Sequence, residues 1–331
     1  MLNVIVIGLG PIGLAAAKAV MKDPGMNLSG LVDLDPSKVG KTLKDLLPDA
    51  PAGGVSVVKS IDDVKQIDVA IVGTTSYFAD MAPILRALMA RKAHVVSSCE
   101  EMLWPWYRNE KLANEIDAEA KKAGVALLGT GVNPGFVLDY LPLVLSSMVL
   151  EVKGVKAVRR VDATKRRKPL QQKVGATMTV EHFNGLKAEG KIGHKGMAES
   201  VVMLAAGLGR KIPAGAVIET LEPVVAKQPI DSMLGTIQPG QVAGMNNVGK
   251  WSGQGLSIEL DLTMSCGLDA TGDAVHIDGP VPLELHIPGS TPGDSATVSA
   301  LVNCARILPK APAGMRTMLD VGHLAAARAA E

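Results

Sequence analysis

Close to its start the chain reads Val4-Ile5-Val6-Ile7-Gly8-Leu9-Gly10-Pro11-Ile12-Gly13, a short apolar run that leads directly into a glycine-rich turn. An alanine-rich stretch follows at residues 14–21, and a second apolar run, 28–32, ends in Asp33. Strand, glycine turn, helix, strand and acid, in this order, are typical of the βαβ unit that binds a dinucleotide. We therefore predict an α/β fold that opens with a doubly wound parallel sheet. The alternative is a glycine-rich turn in another kind of α/β domain.

Each glycine of this turn has a physical task in an N-terminal Rossmann domain. Gly8 allows a tight turn, Gly10 lets a pyrophosphate approach the backbone, and Gly13 lets the helix pack closely on the strand. The N–H groups at the helix start then attract the phosphates of NAD or NADP. The predicted cofactor-binding residues of this segment are Gly8, Leu9, Gly10, Pro11, Ile12, Gly13 and Asp33.

The choice between the two cofactors depends on the end of the second strand. Asp33 can accept hydrogen bonds from the adenosine ribose and should repel a 2′-phosphate, which slightly favours NAD. Ser37, Lys38 and Lys41 follow closely enough to accommodate that phosphate. Use of both cofactors therefore remains open.

Composition bounds the class of protein. A chain of 331 residues with 47% hydrophobic and 20% charged residues is typical of a soluble protein of two domains. The net charge of +1 gives no electrostatic case for nucleic acid or an anionic membrane. We see neither a signal peptide nor a membrane span, and expect a cytoplasmic protein. Scattered histidines and three distant cysteines, Cys99, Cys266 and Cys304, predict neither a disulfide framework nor a metal site.

Loops that follow later strands should join the glycine turn at one edge of the sheet. Predicted strands at 69–72, 94–96 and 125–128 each lead into small or polar residues. Because the carboxyl ends of parallel strands line the cofactor crevice, these loops supply further cofactor-binding candidates. Hydroxyl groups at 74 and 75 would donate to a phosphate or a carboxamide, or cap the next helix. The candidates are Thr74, Thr75, Ser98, Cys99 and Asn133.

Two adjacent acids, Glu100 and Glu101, follow the strand at 94–96 and stand close to Trp104 and Trp106. The two acids have a purely structural explanation if they lie in the first turn of a helix, where negative side chains interact favourably with the helix dipole. The functional interpretation is a carboxylate held near the nicotinamide between apolar walls, where it would act in general acid/base catalysis. The sequence does not fix which of the two acids faces inward.

The aromatic residues favour a pocket in the same region. Of nine Phe, Trp and Tyr, seven lie between residues 77 and 140, in or just after the loops placed near the cofactor. They are either the wall of a pocket for a small, partly apolar substrate or packing at the domain junction. We select Trp104, Phe136 and Tyr140 as the substrate-pocket residues.

The second half changes character. Strands are predicted at 155–162, 175–179, 256–264, 274–277 and 281–287, and helices at 181–189 and 198–208. Helices are also expected at 36–47 and 137–148. We therefore expect a Rossmann domain at 1–135, an α+β substrate and dimerisation domain at 136–294, and a helix and tail at 295–331 that return to the first domain. The basic run 165–168 is a solvated loop or a clamp for an anion.

Three motifs identify a family resemblance. They are Gly8-x-Gly10-x-x-Gly13, Cys99-Glu100-Glu101-x-x-x-Pro105-Trp106 and Gly129-Thr130-Gly131-x-Asn133-Pro134-Gly135-Phe136. Further matches stand at residues 193–200, 293–297 and 302–303. With these the chain resembles the dihydrodipicolinate-reductase-like superfamily, in the branch of 2,4-diaminopentanoate dehydrogenase and the native amine dehydrogenases. The His-x-x-x-Lys motif of the lysine-pathway reductases is missing, which argues against dihydrodipicolinate as the substrate.

The resemblance implies NAD(P)-linked chemistry on a carbon–nitrogen bond in a homodimer, with a small amine or ketone and ammonia as substrates. It also implies that a glutamate in the 99–106 segment positions ammonia and moves protons, a role that falls on Glu100 first and on Glu101 second. One alternative function is an NAD(P)H-dependent imine or carbonyl reductase that uses no free ammonia. Another is a nucleotide-binding sensor without turnover.

Overall fold

The structure is a computed structural model of the chain, and it describes residues 1–321. The chain divides into two compact units. Unit 1 comprises Met1–Phe136 and the chain from Pro292 onwards, and unit 2 comprises Val137–Thr291. Residues 322–331, the end of the predicted C-terminal tail, lie outside the described part. No helix within residues 1–321 combines the length and the apolar character that crossing a membrane would require.

The strands follow one another through both units. Those of the first half are β1 (Leu2–Ile7), β2 (Met26–Val32), β3 (Val57–Val58), β4 (Val69–Val72), β5 (His94–Ser97) and β6 (Ala126–Gly129). Those of the second half are β7 (Gly154–Asp162), β8 (Ile218–Val225), β9 (Val242–Gly253), β10 (Leu256–Ser265), β11 (Gly272–Asp278), β12 (Leu283–Pro288) and β13 (Gly314–Arg316).

The helices alternate with the strands in unit 1 and cluster between strands in unit 2. They are α1 (Pro11–Met21), α2 (Leu43–Leu46), α3 (Phe78–Ala90), α4 (Trp106–Ala123), α5 (Tyr140–Ser146), α6 (Lys168–Lys173), α7 (Val180–Ala188), α8 (Met197–Gly207) and α9 (Gly293–Ile307). Short 3₁₀ turns occur at Ile61–Asp63, Glu100–Leu103 and Leu308–Lys310.

Unit 1 contains a seven-stranded sheet with the order β13-β6-β5-β4-β1-β2-β3, in which every neighbouring pair is parallel. The strand order reverses between β1 and β4, as in doubly wound sheets that bind a ligand at this point. Strands β1 and β4 are almost wholly apolar and buried because helices cover both faces. The predicted doubly wound parallel sheet is confirmed.

Unit 2 contains a six-stranded mixed sheet with the order β12-β11-β7-β10-β9-β8. Only the central pair β7–β10 is parallel, and the other pairs are antiparallel. Helix α8 packs on one face of this sheet, where it contacts α5, and α7 contacts the edge strand β8. On the opposite face, side chains such as those of Lys156 and Lys250 are exposed to solvent. We call this the open face. This confirms an α+β second half.

One predicted element is wrong, and two predicted helices are shorter than expected. Residues 36–47 form a turn followed by α2 alone, because Thr42 and Asp45 make a reciprocal capping box that starts the helix late. The helix expected at 137–148 begins only at Tyr140, where Asp139 caps it. Residues 175–179 are a turn rather than a strand, since Thr177 has a φ of 72°. Strands β8 and β9 were not predicted.

Candidate active site

The glycine turn is shaped by close contacts on two sides. Gly8 has a φ of 86°, and a Cβ there would lie 2.6 Å from the carbonyl oxygen of Gly73. A Cβ on Gly13 would lie 1.9 Å from the carbonyl oxygen of Gly8, so only glycine lets α1 start so close to β1. A Cβ on Gly10 would meet nothing within 4 Å, so the space above this residue is open. This combination fits a pyrophosphate cradle.

The start of α1 supports the same interpretation. Gly10 is the N-cap residue and offers no side chain to the helix, while Pro11 occupies the first turn. The first turn carries no acidic residue that would occupy its N–H groups. A helix start of this kind attracts an anion through its N–H groups and its dipole. The residues present therefore fit the phosphates of a dinucleotide.

Asp33 lies at the end of β2 and contacts the glycine turn directly. Its Oδ2 accepts the N–H of Leu9 at 2.7 Å and the Nζ of Lys38 at 2.9 Å, and its Oδ1 accepts the N–H of Asp35 at 2.9 Å. Burial alone raises the pKa of Asp33, but these hydrogen bonds outweigh it and hold the pKa below its usual value. Asp33 is thus a carboxylate at neutral pH. The Leu9 N–H is already bound to it.

The loops after β4 and β5 meet beside this turn. Gly73 donates its N–H to the carbonyl of Ile7 at 2.9 Å, and Ser98 donates to the carbonyl of Val72 at 3.1 Å. Thr74 is exposed and stands next to Gly8. Thr75 Oγ1 accepts the N–H of Tyr77 at 3.2 Å, a turn contact ahead of α3. The parallel sheet therefore gathers these predicted residues at one edge.

Cys99 belongs to this edge but offers no reactive thiol. Its side chain is 2% exposed, and burial is the main cause that raises the pKa of the thiol to about 12. Its backbone N–H donates to Ser97 Oγ at 3.0 Å. The residue fills the space behind the loop, and any cofactor contact from this position would come from the backbone.

The two acids have different surroundings. Both lie in the 3₁₀ turn Glu100–Leu103, and both are partly exposed. Glu101 Oε2 accepts the N–H of Phe78, the first residue of α3, at 2.8 Å. The sequence analysis did not predict this contact. A signal for it is Tyr77 at the N-cap position, because a tyrosine does not cap the helix through its side chain and the first N–H groups then need another acceptor.

The remaining candidates lie in two places. Trp104 is half-buried and packs edge to face on Trp106, with ring centroids 5.7 Å apart. Asn133 precedes a cis peptide bond to Pro134 in the segment after β6, and the loop bends so tightly that a Cβ on Gly135 would lie 2.4 Å from Gly131 N. Phe136 ends unit 1, whereas Tyr140 starts α5 in unit 2.

Comparison with known proteins places the chain in a family. Residues 136–330 match the family model described as the 2,4-diaminopentanoate dehydrogenase C-terminal domain. A protein from Acetoanaerobium sticklandii named 2,4-diaminopentanoate dehydrogenase is 32% identical over 332 residues, which cover 96% of this chain and 93% of that protein. The chain belongs to the 2,4-diaminopentanoate dehydrogenase family. The resemblance inferred from the motifs is confirmed.

Further matches agree with membership of the 2,4-diaminopentanoate dehydrogenase family. Residues 1–92 match the model described as the CoA binding domain. A protein from Streptomyces virginiae named amine dehydrogenase is 29% identical over 160 residues, 45% of this chain and 42% of that protein. The structure of amine dehydrogenase from Mycobacterium smegmatis superposes with a TM-score of 0.86 at 23% identity and covers 98% of this chain and 97% of that one. That last match shows a common fold.

Proposed function

We propose that the chain is an NAD(P)-dependent dehydrogenase of a small amine, which works reversibly as a reductive aminase of the ketone or aldehyde. The observation that carries this proposal is the pair of glutamates at the cofactor edge of the Rossmann sheet, in a chain similar to two proteins named as dehydrogenases of amines. Substrates related to 2,4-diaminopentanoate are the first to test, since the relative of that name aligns over nearly the whole chain.

Glu100 is the residue that we assign to ammonia. Its carboxylate would hold ammonium by an ionic hydrogen bond, accept a proton as the nitrogen attacks the carbonyl, and return it to the hydroxyl that leaves as water. The iminium ion that results is a better hydride acceptor than the ketone. A nicotinamide, when bound, would supply the hydride, and Trp104 and Phe136 of unit 1 would provide apolar surface beside the substrate.

The assay for this function follows oxidation of NADH and NADPH by a panel of small ketones and aldehydes, with and without ammonium. We expect oxidation that depends on ammonium and an amine as the product. Oxidation at the same rate without ammonium would replace the proposal with a carbonyl reductase. Cofactor binding with no oxidation across the panel would favour a nucleotide sensor.

For the cofactor, we propose that NAD is preferred and that Asp33 is the reason. Substituting Asp33→Asn keeps an oxygen for the N–H of Leu9 but removes the charge that opposes a 2′-phosphate. A unit charge about 4 Å away is worth about 1 kcal/mol in water and about 4 kcal/mol at a protein surface. We therefore expect the ratio of kcat/KM for NADPH over NADH to rise about tenfold or more. An unchanged ratio would remove Asp33 from the ribose site.

Lys38 gives the matched control for this prediction. It forms an ion pair with Asp33 at 2.9 Å and lies 3.6 Å from Asp35 Oδ2, so its charge is partly neutralised by acids. In the Asp33→Asn background, Lys38→Met should reverse most of the gain in NADPH use, because Lys38 has then lost its ion pair with Asp33 and its charge is more available to the phosphate. Lys41→Met should have a smaller effect.

A homodimer is part of the proposal. The open face of the six-stranded sheet carries acids and bases in alternation: Lys156 and Lys250 both pair with Glu259 at 2.7 Å, and His276 pairs with Glu284 at 2.8 Å. These residues surround a shallow cavity of about 370 Å³. We propose this face, which no helix of the described residues covers, as the contact surface of a second copy related by a twofold axis.

A further inference from the structure

The turn that carries Glu100 is attached to the neighbouring loop through Glu101. The backbone N–H of Glu101 donates to the carbonyl of Ser76 at 3.3 Å, while its Oε2 accepts the N–H of Phe78 at 2.8 Å. Asn109 Nδ2 lies 3.5 Å from the same oxygen. Glu101 therefore connects the loop after β5 to the start of α3 and to the first part of α4. We call these contacts the Glu101 clamp.

The clamp meets a need of α3. Helix α3 begins at Phe78, and its N-cap residue Tyr77 makes no capping hydrogen bond through its side chain. Phe78 itself is fully buried, so water has limited access to its backbone. A carboxylate at a helix start satisfies a free N–H group and interacts favourably with the helix dipole. Glu101 supplies this carboxylate from the 3₁₀ turn that follows β5.

The position of Asn109 supports the clamp from the other side. Helix α4 is interrupted at Asn109, where φ and ψ are −134° and 46°. The side chain of Asn109 points towards Glu101 at this interruption. Oε2 of Glu101 is thus approached by two donors, one from α3 and one from α4, and these contacts hold the carboxylate at the start of α3.

The geometry of the turn links this to catalysis. Glu100 and Glu101 are consecutive in a 3₁₀ turn, in which side chains leave the axis about 120° apart. When Glu101 is fixed on α3, the backbone of the turn is fixed, and with it the direction of the Cα–Cβ bond of Glu100. We propose that Glu101 is a positioning residue, which holds Glu100 in the orientation that the reaction needs and does not itself exchange protons with the substrate. This inference rests on the proposed role of Glu100.

Two variants of Glu101 test the clamp. In Glu101→Gln the amide oxygen can still accept the Phe78 N–H, so we expect kcat to stay within about threefold of the wild type and the pH profile of kcat to keep its shape. Glu101→Ala removes the acceptor. The resulting loss of orientation of Glu100 should lower kcat by about 10–100-fold. The dissociation constant of NADH should change little in either variant, because the clamp does not include the glycine turn.

Three outcomes would overturn the proposal. If Glu101→Gln loses as much kcat as Glu100→Gln, then Glu101 is itself a proton carrier. If Glu101→Gln removes a limb of the pH profile, the same conclusion follows. If Glu101→Ala keeps the wild-type kcat, the clamp does not position anything that the reaction uses.

A measurement without substrate separates this inference from the proposed function. Hydrogen exchange at the start of α3 should accelerate at least tenfold in Glu101→Ala and stay near the wild-type rate in Glu101→Gln. If hydrogen exchange gives this result but no variant shows activity with an amine, the clamp is supported and only the proposed reaction is wrong. Equal exchange in both variants and the wild type would remove the clamp, whatever the activity.

Discussion

Replacing Glu100 with glutamine should lower kcat for ammonium-dependent reduction of a ketone by about 10²–10⁴-fold, the usual contribution of a general acid/base. This range corresponds to about 3–5 kcal/mol of transition-state stabilisation. The amide cannot hold ammonium by an ionic hydrogen bond, and it cannot accept and return a proton as water leaves. The dissociation constant of NADH should remain within about twofold, because the substitution leaves the glycine turn at Gly8–Gly13 untouched.

Two controls make this prediction specific. Glu110 is an exposed acid on α4, and Glu110→Gln should behave like the wild type. A preformed cyclic imine is the second control, because its reduction needs neither capture of ammonia nor loss of water. Glu100→Gln should therefore reduce the imine much closer to the wild-type rate than it aminates a ketone. A variant with full reductive amination activity would show that Glu100 has no part in proton transfer.

The second large effect concerns the stability of unit 2. Arg159 on β7 and Asp273 on β11 are 3% and 2% exposed, and Nη1 of the arginine lies 2.9 Å from both carboxylate oxygens. Nη2 of Arg159 donates to the carbonyl of Thr291 at 2.7 Å. Ser290 Oγ and the N–H of Thr291 donate to Asp273, each at 2.7 Å. The pair thus fixes the segment just before the chain leaves unit 2.

Asp273→Ala should destabilise the protein by about 3–5 kcal/mol, because it leaves a buried guanidinium without its counter-charge. Burial lowers the pKa of Arg159, and the carboxylate of Asp273 opposes that shift, but an arginine cannot escape the cost by losing its proton. Typical domains are stable by about 5–15 kcal/mol, so this is a large share. The melting temperature should fall by roughly 6–20 °C.

Calorimetry of three variants checks this account. Replacing both partners, as in Arg159→Met with Asp273→Leu, should recover much of the loss, since no isolated charge then remains. Glu189→Ala breaks an exposed ion pair with Lys191 in the same unit and should have little effect. Equal stability of Asp273→Ala and the wild type would mean that the buried pair is not needed to balance the charge of Arg159.

The Rossmann unit was the most predictable part of the chain. Its first strand, glycine turn and helix are local in sequence, and each step has one physical reason that a single residue type satisfies. Gly13 illustrates this, because a methyl group there would lie 1.9 Å from a backbone oxygen. The rule that parallel strands present their carboxyl ends at one edge then brought the loops near Thr74 and Ser98 to the same place.

The failures arose where individual side-chain contacts, or pairing with another strand, override the average composition of a segment. Residues 36–47 have a helical composition, yet Lys38 reaches back to Asp33 and Thr42 starts a separate short helix. Strand β8 contains Pro223 at the sheet edge and has an irregular pattern of exposure. It is recognisable as a strand only from its pairing with β9.

Within the candidate site, the two glutamates show what the sequence predicts and what only the structure reveals. Their position after β5 marked them as functional candidates, but nothing local distinguishes one from the other. The distinction comes from α3, whose first N–H needs an acceptor that its own N-cap residue does not provide. Such a requirement becomes visible only when the loops after β4 and β5 are known to be neighbours.

The central claim is that one carbon atom of the substrate receives both the hydride of NADH and the nitrogen of ammonia. The most direct measurement is mass spectrometry of the product formed from a ketone, NADH with deuterium at the transferable position of the nicotinamide, and ¹⁵N-ammonium. The account predicts an amine that carries both the deuterium and the ¹⁵N label. An alcohol that carries deuterium alone, formed at the same rate without ammonium, would contradict it.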